Sequence, residues 1–139
     1  MKTTDTEIPN EQNLFRFENL RVYNKAIEHS VFAKQVLSSS VSSDAEFINK
    51  ILEASVAIPV YIASGCLKSK MEFIKGLKRA KYTLVESVVH VTIAANLNYI
   101  TSDVETELRN QLIELVKMIG ALINSLRRNN NNNNSNSCE

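Results

Sequence analysis

An all-α fold is predicted for this chain, as an antiparallel up-down-up-down four-helix bundle, and three observations predict it. Three Gly, two Pro and no Trp in 139 residues leave too little turn chemistry for a β-sandwich. Three capping boxes, Ser43-x-x-Glu46, Ser69-x-x-Glu72 and Ser102-x-x-Glu105, mark helix starts. In each, serine and glutamate can satisfy backbone N–H groups left unpaired in a first turn. The runs that follow repeat apolar residues every three or four positions, the period of one helix face.

The elements follow in order. The first helix is expected from Glu18 to Leu37, with Leu20, Tyr23, Ile27 and Val31 or Lys34 on one stripe, ending before a Ser-rich turn at Ser38 to Ser43. The second places Ile48, Ile51, Ser55, Ile58 and Ile62 on one face. Pro59 cannot donate to the Ser55 carbonyl and crowds it, so a kink is expected rather than a stop, because the apolar pattern continues. Gly65 fits that helix's C-terminus. The third helix, Met71 to about Asn96, is expected to bury Phe73, Leu77, Ala80, Leu84, Val88, Val91 and Ala95. In the fourth, Leu108, Leu112, Leu115, Ile119, Leu122 and Leu126 keep a strict 4-3-4-3-4 spacing, the seam of a left-handed bundle. Short connections between helices favour antiparallel neighbours. Residues 1–16 read as a flexible arm, 17–128 as the bundle domain, and the Asn-rich stretch 129–139 as a disordered tail too polar to bury a core.

Composition excludes several function classes. The start, MKTTDTEIPNEQ, has no apolar signal region, and the longest uncharged run falls short of the roughly 18 to 20 residues that span a bilayer. No membrane partner and a cytoplasmic location are expected. Cys66 and Cys138 form neither a disulfide framework nor a metal motif, so reduced thiols are expected. A di-iron bundle needs two Glu-x-x-His motifs, whereas Glu86 and His90 are four apart and His29 directly follows Glu28. No metal and no other cofactor is expected. Glu86 among valines could be an acid of raised pKa, but no second acid or nucleophile accompanies it, so no catalytic residue is assigned and the chain is not read as an enzyme.

Charge is the informative pattern. The net +1 is unevenly spread: −2 over residues 1–60, +4 over 61–98 and −1 over 99–139. Ala54 to Leu67 carries no charge, and Lys68, Lys70, Lys75, Lys78, Arg79 and Lys81 follow it with only Glu72 in opposition. Two readings fit this cluster: a positive surface for phosphate backbones, or an ordinary solvated lysine face. Arg127 and Arg128 either extend the surface or offset the last helix's dipole. Away from the expected core lie Val56, Val60 and Ala63 on the second helix and Tyr82, Val85, Val89 and Ile93 on the third, interrupted by Glu86. Contiguous exposed apolar surface usually marks an interaction site, so homo-oligomerisation through these residues is predicted, with a neighbour's cation meeting Glu86. The alternative is a bundle twisted enough to bury both sides. Tyr61 and Tyr82 suit base stacking or an interface, and their apolar neighbours favour the interface.

Five stretches carry a family resemblance: FENLRVYNKAIEHS (Phe17 to Ser30), ASVAIPVYIASG (Ala54 to Gly65), EFIKGLKRAKYTLVES (Glu72 to Ser87), NLNYI (Asn96 to Ile100) and IGALINSLR (Ile119 to Arg127). In order and spacing they resemble the four-helix-bundle proteins encoded in 23S rRNA intervening sequences, relatives of the Avd accessory proteins of diversity-generating retroelements. Where that family carries an Arg-Arg pair ahead of a SIPANIAEG-like segment, this chain has Leu52 and Glu53. The segment's Asn and Glu are here Tyr61 and Ser64, and the first helix's usual Trp is Tyr23. The resemblance implies an up-and-down bundle that assembles as a ring-shaped homopentamer without catalytic activity. Its retroelement branch implies binding to a reverse transcriptase and to nucleic acid, RNA or DNA, through basic surfaces. A protein-only structural or adaptor bundle is the second functional expectation, and a small-ligand bundle, which would need a cavity, the third.

Overall fold

The computed structural model describes residues 15–38 and 44–130, without the side chains of residues 129 and 130. The described residues form four α-helices and no strand: α1 (Arg21–Ser38), α2 (Ala45–Cys66), α3 (Lys70–Asn96) and α4 (Ser102–Asn130), with a 3-10 turn (Arg16–Asn19) leading into the first. The expected arm up to residue 14, the Ser-rich turn after Ser38 and the tail beyond residue 130 lie outside the described residues. Backbones approach between α1 and α2, α2 and α3, α3 and α4, and α4 and α1, but across neither diagonal.

Local chemistry sets the helix ends. Asp44 caps α2, its carboxylate accepting from the Phe47 N–H at 3.1 Å, one residue after the expected Ser43, which lies outside the described residues. Ser69 caps α3 as expected, accepting from the Glu72 N–H at 3.2 Å. At α4 the cap is Thr101, whose hydroxyl accepts from the Val104 N–H at 3.2 Å, so the expected cap Ser102 is already helical. In each case the acceptor reaches the N–H three residues on, and a neighbouring Ser, Thr or Asp can take that place. The turn after α3 closes with Asn98 at φ 64°, while the Tyr99 N–H reaches the Ala94 carbonyl and the Asn98 N–H that of Ala95. Asparagine tolerates this left-handed conformation better than most residues, which lets the chain leave α3 abruptly.

The core follows the expected faces with local slips. On α2, Ile48, Ile51, Ser55, Ile58 and Ile62 are all buried, and the helix continues through Pro59. On α3 the buried series is Phe73, Leu77, Ala80, Leu84, Ser87, Val91 and Ala94, so Ser87 and Ala94 replace the expected Val88 and Ala95. The seam keeps its 4-3 alternation and accepts a serine instead of shifting one position to gain a valine. On α4, Ile123 is buried where Leu122 was expected. On α1 the expected stripe is displaced: Val22, Ala26, His29, Ala33 and Leu37 face the core, while Ile27 and Val31 are exposed. Two alanines on this face let the neighbouring helices come close, which a purely hydrophobic ranking of positions misses.

Two glycines bring α2 and α3 together. A Cβ on Gly76 would lie 2.8 Å from the Tyr61 carbonyl oxygen, and one on Gly65 would lie 3.5 Å from the Gly76 Cα. Gly65 therefore serves helix packing more than the terminus it was expected to end; its φ is not positive. By length and composition alone α2 is apolar enough to cross a membrane, with mean hydropathy 1.3, yet only 33% of that window is buried. Its outer side is apolar too. Cys66, expected as a reduced thiol, is buried and disulfide-bonded.

Candidate nucleic-acid interface

The turn between α2 and α3 and the close contact of these helices gather part of the basic cluster. Lys68 lies in the turn, and Lys75 and Arg79 project from successive turns of α3. Together with Tyr61, Ser64 and Glu72 they line a depression of about 220 Å³, floored by Gly65 and Gly76. Because Gly76 presses α3 onto the Tyr61 backbone, Arg79, one turn further along, sits over the Tyr61 ring with its Cζ 4.8 Å from the ring centroid. This cation–π contact ties a flexible side chain to the Tyr61 ring. Lys75 meets Glu72 at 3.7 Å across one turn, a solvent-exposed pair that contributes about 0–1 kcal/mol and yields easily to another anion.

The rest of the cluster does not line the depression. Lys78 and Lys81 are exposed, and Arg127 and Arg128 are exposed at the far end of α4. Lys70 is half-buried, with its Nζ screened from solvent and without a hydrogen-bond partner. It therefore contributes charge to the region without an outward-facing ammonium.

The expected self-association residues lie on the outer sides of α2 and α3. Val56, Val60, Tyr82, Val85, Val89 and Ile93 are each between 40% and 68% exposed; Glu86 is exposed and Ala63 half-buried. No ion-pair partner for Glu86 occurs among the described residues. A wider open groove of about 700 Å³ runs between α1 and α2, with Val31, Leu52 and Val56 beside Lys34 and Glu53. Among the described residues no group of three or more His, Cys, Asp or Glu side chains could hold a metal ion.

Polar groups elsewhere serve the scaffold. His29 is buried on α1 and its Nδ1–H donates to the Gln111 side-chain oxygen at 2.7 Å, while the Gln111 amide donates to Glu107 at 3.1 Å. Burial pushes the His29 pKa below its usual value, and the Gln111 hydrogen bond opposes part of that shift. The Tyr99 hydroxyl donates to Asp44 at 3.1 Å, tying the turn after α3 to the cap of α2. Burial, followed by the hydrogen bond and charge of Asp44, pushes the Tyr99 hydroxyl above its usual range.

Residues 18–121 match the family model of the 23S rRNA-intervening sequence protein. The chain belongs to this family. No individually curated protein matches it. The match ends within α4 and takes in the whole depression and the whole exposed apolar face, so both are features of the family domain as this member builds it. Within that domain the Tyr61–Arg79 stack escapes a reading of sequence alone. Its signal is the pair Gly65 and Gly76, two of the three glycines in the chain, which let the two helices touch.

Proposed function

We propose that this protein is a non-enzymatic, homo-oligomeric accessory or scaffold protein that binds RNA, DNA or a reverse-transcriptase nucleoprotein through the basic surface around Lys68, Lys75 and Arg79. The observation that carries this reading is the convergence of those three cations on one depression beside an exposed apolar face. A phosphate backbone suits such a surface, since it is read by charge without need of base contacts. The kinship with Avd accessory proteins and the ring-shaped homopentamer rest on the sequence resemblance; a cytoplasmic setting is proposed from the uncharged run, which falls short of a bilayer span.

The bundle is proposed as antiparallel, up-down-up-down and left-handed. Two pairs support this: Lys25 meets Glu114 at 3.7 Å, and four residues on His29 meets Gln111, so numbers rise along α1 as they fall along α4. The α2 and α3 seams keep the 3.5-residue mean spacing of left-handed packing. The exposed apolar residues of α2 and α3 are proposed to meet a second copy, with Glu86 facing a neighbour's cation.

Fluorescence anisotropy with a labelled structured RNA tests the basic surface. Wild type is expected to bind at low salt and to weaken steeply as salt rises, and the triple variant Lys75→Glu, Lys78→Glu, Arg79→Glu is expected to lose binding. Equal, weak binding by both proteins would replace this reading with a protein-only adaptor, which the apolar groove between α1 and α2 favours.

A further inference from the structure

We infer that the Tyr61–Arg79 depression is a site for single-stranded nucleic acid, in which the outer face of the Arg79 guanidinium stacks on an unpaired base while Lys68 and Lys75 hold the adjoining phosphates. This rests on the nucleic-acid reading above and adds the form of nucleic acid bound. A guanidinium has two faces. The Arg79 Cζ lies over the Tyr61 ring, 4.8 Å from its centroid, and the residue is exposed, which leaves guanidinium surface away from the ring for a base. Tying the guanidinium to the ring beforehand removes much of the rotamer entropy that a free arginine loses when a base stacks on it.

The geometry selects against a duplex. In a double helix every internal base is already stacked on both sides, so an arginine plane finds no free face; a splayed base in a loop or single strand offers one. The depression, at about 220 Å³, is the size of a nucleotide fragment and far smaller than a groove of duplex. Lys68, Lys75 and Arg79 line it together with Gly65 and Gly76, the contact that holds its two helices together. Among the described residues that line the depression, Glu72 is the one acid. Its pair with Lys75 is exposed, so an arriving phosphate exchanges for it at small cost. Lys78 and Lys81, outside the depression, add attraction that any nucleic acid feels equally.

Arg79→Lys separates stacking from charge, because lysine keeps the cation and loses the plane. Anisotropy titrations of the full chain at one fixed salt, with an unstructured 20-nucleotide RNA strand and a duplex of equal length, are read as the ratio of the two affinities. The variant is expected to lose about tenfold in single-strand affinity, in line with stacking on one base, and to keep its duplex affinity. Tyr61→Leu is expected to reproduce that loss and Tyr61→Phe, which retains the ring, to match wild type. Circular dichroism and melting show whether each variant keeps the fold. Salt-sensitive binding with a ratio unchanged in Arg79→Lys would overturn the stacking site and leave the basic surface standing. Absence of salt-sensitive binding to either form would overturn both.

Discussion

Gly76 of α3 lies against the backbone of Tyr61 in α2, so close that a Cβ there would stand 2.8 Å from the Tyr61 carbonyl oxygen. A glycine in mid-helix weakens the helix itself by about 1 kcal/mol relative to alanine. What it permits is the contact between the two most extensively packed helices and, one turn later, the placement of Arg79 over the Tyr61 ring.

Gly76→Ala is therefore expected to destabilise the protein by about 1–3 kcal/mol, because the backbone it would strike cannot swing aside as a side chain can. Gly120→Ala is the control. Nothing lies within 4 Å of a Cβ at Gly120, so this change is expected to raise stability by about 0.5–1 kcal/mol. Urea denaturation of the two variants checks both signs, and a stabilised Gly76→Ala would show that the helices do not touch as described.

The burial of His29 makes stability depend on pH. Burial favours the neutral ring, so the folded pKa lies below the usual 6.5 and the unfolded chain takes up the proton first on acidification. The stabilising contribution is thus complete above pH 6.5. It declines as pH falls from there to the folded value and is constant below it. One proton limits the slope to about 1.4 kcal/mol per pH unit. His29→Gln is expected to flatten this decline between pH 7.5 and 5.5 in denaturant titrations, and an equal slope in wild type and variant would remove His29 as its cause.

Asp44 serves two partners at once, the Phe47 N–H at 3.1 Å and the Tyr99 hydroxyl at 3.1 Å. Asp44→Ala is expected to cost about 1–2 kcal/mol through the lost cap alone. Tyr99→Phe should cost less, since the cap survives. A double-mutant cycle is expected to give less than the sum of the single losses, and strict additivity would mean that the two residues are not coupled.

Val89, 52% exposed on the outer α3 face, tests the proposed self-association. Val89→Asp is expected to reduce the particle mass in light scattering while leaving the helical circular dichroism unchanged. An unaltered mass would rule out this interface.

Periodicity made most of this architecture legible. The five core positions on α2 and the first four on α3 follow directly from apolar spacing, and the Ser69 cap from its box. The α1 and α3 slips have one cause. Hydrophobic ranking prefers Val88 to Ser87 and Ile27 to Ala26, whereas packing chooses by register and by how closely helices must approach.

For the candidate site the division is similar. Sequence alone determined that the chain is helical, that an uncharged segment precedes a basic one, and which residues leave the core to form an apolar outer face. These depend on composition and period, properties of neighbours along the chain. Only the tertiary structure decided which of the basic residues share a depression, because Lys68, Lys75 and Arg79 meet Tyr61 across two helices joined at Gly65 and Gly76. It also withdrew the Lys70 ammonium from the surface. Both outcomes come from how closely two helices approach, a distance set by atoms far apart in the sequence.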